Sequence, residues 1–379
     1  MNRFADVVIV GAGVMGCSAA FHLARGTRGS EIARPSGARV VVVEKGSVAS
    51  GMTKRSGGLV RASFSDETQA ALAQASLEYF RDWKNSVGGS CGFTRTGLLV
   101  LANETGAARL RAMVDHLGAD TRVVSADELC DLQPGVRVQD VALAAHEPDA
   151  GYVDPLATTQ TLAARAKEWG VEFRTGTLVK HIRVEGGRVV GVETTTGAIE
   201  TFNVVVMAGA WSARLLKPLG IEMGITTTRV QVVFFDRPAE LKTGHHAFVD
   251  TTTGAYFRPH SFGLTFAGVI EAETNTVNPD HFDETVAPEF VDDVRARIAT
   301  RLPAFTNARF VRGHTGVYDL TPDTRPIISR VPGIAGLIVA AGFGGDGFAF
   351  APAVGACVAE MVTDGAARTV DVSEFSLIV

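Results

Sequence analysis

Six residues near the start of the chain constrain its fold more than any others. Asp6-Val7-Val8-Ile9-Val10 is a short β-branched run, and Gly11-Ala12-Gly13-Val14-Met15-Gly16 follows without a break. Such a run reads as a buried parallel strand. The glycines then have separate duties. Gly11 permits a tight turn, Gly13 lets backbone N–H groups approach a pyrophosphate, and Gly16 lets the next helix, expected over 17–25, lie on the strand. The N-terminus of that helix offers partial positive charge to the phosphates. A second buried strand, 39–43, ends at Glu44, which is placed to accept a ribose hydroxyl. The polar segment 26–38 reads as a surface loop that lengthens the usual spacing of about 20 residues between turn and acid. Strand, glycine turn, helix, strand and acid together predict a dinucleotide site.

The chain has 379 residues and a net charge of −5. At roughly 100–200 residues each, that is room for two or three domains. Mild acidity without a long basic run argues against nucleic acid or an anionic membrane as partner. No apolar run reaches the roughly 20 residues of a membrane span. The cysteines at 17, 91, 130 and 357 lack metal-ligand spacing and fit a reducing, cytoplasmic setting. His245-His246 reads as a solvated loop pair, and no metal is expected.

Helices are expected over 68–85, 105–118, 156–169 and 286–301. From 171 the pattern alternates as strands around Gly186-Gly187 and Thr196-Gly197. Further strands are expected at 225–235, 246–250, 255–259 and 263–270. A last buried strand, 334–341, runs into Gly342-Phe343-Gly344-Gly345-Asp346-Gly347 and a helix over 351–363. Nucleotide-type turns at both ends, with mixed β material between, predict two interleaved domains. The glycine turn alone does not separate FAD from NAD. The second glycine loop and the buried strand Val204–Met207 running into Ala208-Gly209-Ala210-Trp211 favour FAD, whose flat ring needs close backbone on one face. A helix start aimed at that ring would stabilise its reduced, anionic form.

The ordered set GAGVMG, VVEK, SGMTKRSGGLVR, GYVDP, VVVMAGAWS, GVYDLTPDTRPII and AAGFGGDGFAFAPAVG spans the chain. It resembles the FAD-dependent amine and amino-acid oxidoreductases of the sarcosine oxidase, glycine oxidase and dimethylglycine dehydrogenase group. The resemblance implies an α/β and α+β fold: a glutathione-reductase-like FAD domain (1–62, 146–215, 312–379) interleaved with a substrate domain on a mostly antiparallel sheet (63–145, 216–311). It implies oxidation of a C–N bond of an amine or amino acid, with hydrolysis of the imine. The residues expected at FAD are Gly11, Gly13, Val14, Met15, Gly16, Glu44, Lys45, Arg55, Ser56, Gly57, Gly58, Leu59, Val179, Ala208, Gly209, Trp211, Tyr318, Gly342, Gly344, Gly345, Gly347 and Phe348.

Departures from the group narrow this reading. Arg55 stands where some members attach FAD through histidine, and Gly316 where monomeric sarcosine oxidases use cysteine, so non-covalent FAD is expected. Thr265 takes the place of the lysine that promotes reaction with O2, which leaves O2 and another electron acceptor both open. Arg61 matches a substrate-carboxylate arginine, whereas Ala349 and Tyr318 replace two other anchors. Asp346 adds negative charge beside the ring. Tyr256 and Arg258 share a strand face and complete the catalytic candidates Arg61, Tyr256, Arg258, Thr265 and Asp346. Hydride transfer needs a neutral amine, which a dry pocket favours, so a strong base is optional. Asp323 reads as a turn cap. Three other readings are a flavin hydroxy-acid dehydrogenase, a flavin monooxygenase, for which no second nucleotide motif is present, and a catalytically silent flavin-binding subunit.

Overall fold

The computed structural model describes residues 4–26, 39–117 and 121–377. Apart from Gly26, the expected loop 26–38 lies outside the described residues. Val7–Val10 and Val40–Val43 pair in parallel and are buried throughout. They sit in a six-stranded sheet of order Ile327–Arg330, Leu337–Ala341, Val204–Val206, Val7–Val10, Val40–Val43, Glu172–Arg174. The edge strand Ile327–Arg330 is antiparallel to its neighbour. Both faces of the sheet are covered, which is why its strands are unbroken apolar runs. Val7, Ile9, Val40 and Val42 pack against helices Val14–Arg25, Pro155–Glu168 and Gly347–Thr363. Val8, Val10, Val41 and Val43 pack against a three-stranded antiparallel sheet, Val179–Glu185, Arg188–Thr194 and Gly197–Glu200.

The second large sheet has eight strands, in the order Phe310–Leu320, Thr226–Asp236, Leu264–Val269, Ala255–His260, Ala247–Asp250, Leu98–Ala102, Leu143–Glu147, Arg122–Val124. Its neighbours are antiparallel except for Ala247–Asp250 beside Leu98–Ala102. Alternation divides its faces. Val233, Phe235, Phe257 and Ala267 turn toward helix Pro288–Arg301. Val232, Phe234, Phe266 and Tyr256 form the opposite face. Arg301 ties that helix down through a fully buried ion pair to Asp250 at 2.7 Å.

Several expectations shift. Strand Phe310–Leu320 pairs with Thr226–Asp236 along its length, so the boundary expected at 312 cuts through a strand of the eight-stranded sheet. Helix Glu67–Arg81, placed beyond a boundary at 62, packs on Gly347–Thr363, where Ser76 Oγ accepts the Ala353 N–H at 3.1 Å. The expected helix 68–85 is interrupted at Asp82. The last helix starts at Gly347 rather than Ala351. His245 is buried rather than solvated. Its Nε2 meets Thr265 Oγ1 at 2.9 Å, and burial pulls its pKa down to about 3.

Candidate active site

Residues of both large sheets line a cavity of about 1120 Å³, more than the roughly 300–1,000 Å³ of ordinary small-molecule pockets. The first glycine turn builds one end. Gly11 has φ +109°, and a Cβ there would lie 2.3 Å from the Met207 carbonyl oxygen, so only glycine makes this turn. Helix Val14–Arg25 opens with neither a side-chain cap on Gly13 nor an acid in its first turn. Gly13, Val14 and Met15 line the cavity, while Gly16 packs behind them under the Gly11 carbonyl. Thr53 Oγ1 accepts the Val14 N–H at 3.1 Å. Glu44 is on the wall, accepting the Ala12 N–H at 2.8 Å and the Gly46 N–H at 2.7 Å. Each of its oxygens keeps lone-pair capacity for a ribose hydroxyl.

A segment from the other sheet reaches over this end. Asp280, in the connection 270–287, accepts from Lys45 Nζ at 2.6 Å, Trp211 Nε1 at 2.8 Å and Arg214 at 2.7 Å. Burial would raise its pKa, but these donors outweigh burial and hold the carboxyl well below its ordinary range. Lys45 also lies 3.7 Å from the Trp211 ring centroid. Arg55 donates to the Thr315 carbonyl at 2.7 Å and pairs with Glu284 at 2.8 Å. Ser56, Gly57, Val179, Ala208 and Gly209 line the cavity as well. Gly58 and Leu59 stand behind it: the Gly58 carbonyl accepts the Val153 N–H at 2.9 Å, and Leu59 pairs with Tyr152.

Tyr256, Tyr318, Gly344, Gly345, Gly347 and Phe348 line the other end. The Tyr256 and Tyr318 hydroxyls are hydrogen-bonded to each other, and burial raises the pKa of both. A Cβ on Gly345 would lie 2.8 Å from Tyr318 Oη. Asp319 shapes this glycine loop from behind: its carboxylate accepts the Gly342 N–H at 2.8 Å and its carbonyl the Gly344 N–H at 3.0 Å. Burial pushes the Asp319 carboxyl up to about 6, against the hydrogen bonds it accepts. Gly342 is therefore a fastening point of the loop. Arg61 and Asp346 form an ion pair at 3.1 Å beside the lining residues Gly345 and Gly347. Arg61 also lies 3.9 Å from the Phe64 ring centroid and donates to the Ser63 carbonyl. The buried Glu147 carboxylate braces that turn, accepting the Ala62 N–H at 2.6 Å and the Ser63 N–H at 3.1 Å.

Of the five catalytic candidates, Tyr256 lines the cavity, Arg61 and Asp346 stand beside lining residues, and Arg258 and Thr265 lie off the wall for different reasons. Arg258 is buried behind Gly57, whose carbonyl its Nε reaches at 2.8 Å. Thr265 is a correction. It sits opposite Phe235 and Pro259 in the ladders and so faces helix Pro288–Arg301, where it meets His245. Phe266 is the residue presented to the cavity side, with a Cβ on Gly57 falling 2.8 Å from its ring. Asp323 accepts the Arg325 N–H at 3.1 Å within its own turn. Thr53, Glu147, Phe266, Asp280 and Asp319 were not singled out from the sequence. The acid between Tyr318 and Leu320, three residues upstream of Pro322, was the available signal for Asp319. Among the described residues no cluster of three or more acidic, histidine or cysteine side chains could hold a metal, and no helix is long and apolar enough to cross a membrane.

A family profile described as FAD dependent oxidoreductase matches residues 6–361. The chain belongs to that family. It is 29% identical to FAD-dependent oxidoreductase domain-containing protein 1 of Bos taurus, over 98% of this chain and 83% of the relative. Glycine oxidase of Geobacillus kaustophilus is 26% identical over 100% of this chain and 97% of its own length. Some relatives are longer, and the chain spans 45% and 42% of two of them. In structure it is similar to L-proline dehydrogenase from P. horikoshii, with a TM-score of 0.88 and 28% identity over 99% of this chain and 97% of that one. The family's cofactor is FAD, and the cleft fits it. The side-chain-free turn at a helix start without an acid in its first turn suits a pyrophosphate, Glu44 a ribose, and the glycine loop a flat ring.

Proposed function

We propose that the protein oxidises the C–N bond of a primary or secondary amine or amino acid. A hydride leaves the carbon beside nitrogen, the nitrogen lone pair forms the imine, and water hydrolyses the imine to a carbonyl compound and an amine. Bound FAD supplies the ring that accepts the hydride's electron pair. The Arg61–Asp346 pair beside Tyr256 and Tyr318 carries this reading. A molecule with both amino and carboxylate groups complements both charges, whereas a hydroxy acid complements one. With their pKa values raised, the two tyrosines stay neutral and orient substrate by hydrogen bonds. Burial in this end of the cavity favours the neutral, reactive amine. Glycine oxidase and L-proline dehydrogenase, by their names, act on amino acids, which supports the same class.

FAD is held without a covalent bond, a reading supported by Gly316 and the lack of any cysteine on the described wall. The ring is re-oxidised by O2 or another electron acceptor. A cytoplasmic location fits four free thiols. Anaerobic mixing of the yellow protein with panels of amines, amino acids and hydroxy acids tests the proposal. Bleaching by an amine or amino acid is expected; bleaching by hydroxy acids alone, or by nothing, overturns it.

A further inference from the structure

Arg258 is a buried charge without an opposite number. Lys45, Arg55, Arg61 and Arg214 each face a carboxylate oxygen within 3.1 Å. Arg258, only 4% exposed, pairs with none among the described residues. Its guanidinium carbon lies 4.1 Å from the Tyr152 ring centroid and 4.8 Å from that of Phe266. Nε donates to the Gly57 carbonyl, Nη1 donates to the Pro259 carbonyl at 2.8 Å and reaches His260 Nδ1 at 3.3 Å. These partners offer partial charges only. Besides Arg258 itself, the cations Arg312 and Arg237 and the acid Asp154 act on His260. Burial lowers the Arg258 pKa to about 10, so it remains a cation at neutral pH. Apolar side chains of similar volume replace buried ions at little or no cost, so packing alone does not account for an unpaired guanidinium here.

Its location supplies a reason. Gly57, on which Arg258 is hung, lines the cavity, and Phe266 links that wall to Tyr256, the two rings being 6.1 Å apart. We propose that Arg258 is a positioning residue whose charge, acting through the Gly57 wall, stabilises the negative charge that reduction places on the bound flavin ring. This rests on FAD binding and is independent of which substrate is oxidised. A preorganised charge at a water-poor site acts more strongly than in water.

Sulfite is the probe, because it needs no substrate. Its sulfur lone pair forms a bond to the oxidised ring, which is left negatively charged and bleached. Sulfite dissociation constants and the flavin reduction potential are measured for the holoprotein and for Arg258→Met, Arg258→Gln and Arg258→Lys. The neutral variants are expected to bind sulfite at least tenfold more weakly and to have a lower potential. Arg258→Lys keeps the charge but not the guanidinium geometry, and should stay within about threefold of the parent. Unchanged affinity in a neutral variant that retains FAD overturns the proposal. So does a tenfold loss in Arg258→Lys, which would make the role one of holding Gly57. If neither neutral variant retains FAD, the lysine variant decides by the same limits. Failure of every amine to bleach the protein would defeat the proposed reaction and leave the sulfite result standing.

Discussion

At the Glu44 end of the cavity the chain works with its backbone. A contiguous turn, a helix start and the end of the next strand make the wall, and Gly11 serves by lacking a side chain. At the Tyr256 end the wall is made of side chains. Tyr256 and Tyr318 come from two strands of the eight-stranded sheet, Phe266 of a third strand packs against Tyr256, and a glycine loop from the other sheet closes on the tyrosines. The first arrangement tolerates few substitutions, because glycine is required by its geometry; the second can be altered one side chain at a time.

This contrast can be broken at four points. Gly11→Val should have the largest effect, because it combines a strained φ with a clash against the Met207 carbonyl. Loss of FAD and of about 3 kcal/mol or more of stability is expected, read from the flavin-to-protein absorbance ratio and thermal unfolding. Full flavin content would show that the turn does not depend on glycine.

Next comes Asp319. Its folded pKa of about 6 stands above its ordinary 3.8, so the stability linked to its protonated form is complete below about pH 4 and lost as pH rises through 6. The loss is worth about 3 kcal/mol. Asp319→Asn should remove this component, so that the variant's melting temperature gains on the parent's between pH 4 and 7. A constant difference between the two curves would contradict it.

Tyr256→Phe should retain FAD and raise the amine concentration for half-maximal bleaching about five- to tenfold, as befits one hydrogen bond. Tyr318→Phe should do the same, with the double variant showing less than the summed effect. The smallest effect is expected for Asp280→Asn. Partly exposed ion pairs contribute up to about 1 kcal/mol, so flavin release should quicken roughly threefold. High salt should bring the parent toward the variant.

The same contrast explains what was legible in the sequence. The turn, Glu44 and the buried strands on either side announce themselves through adjacent residues whose types have few other uses. The loop Gly342–Gly347 was visible for the same reason. Thr265 was misplaced because facing on a strand is decided by register, and a slip of one residue exchanges the two sides. Phe266 was the neighbour that mattered. Leu98–Ala102 was not recognised as a strand, being buried along its whole length without alternation. Thr53, Asp280 and Asp319 act on groups 39, 235 and 23 positions away, at Val14, Lys45 and Gly342, and no local pattern marks such pairings. Asp346 was visible in its loop, but its union with Arg61 was not.

The connection 270–287 has a mechanical consequence. It runs from the strand ending at Val269 to the helix beginning at Pro288, yet it grips Lys45, Trp211 and Arg214 on the far side of the cleft. The chain thus carries its own latch. Any movement that draws this connection away from the six-stranded sheet has to break the contacts of Asp280 with Lys45, Trp211 and Arg214.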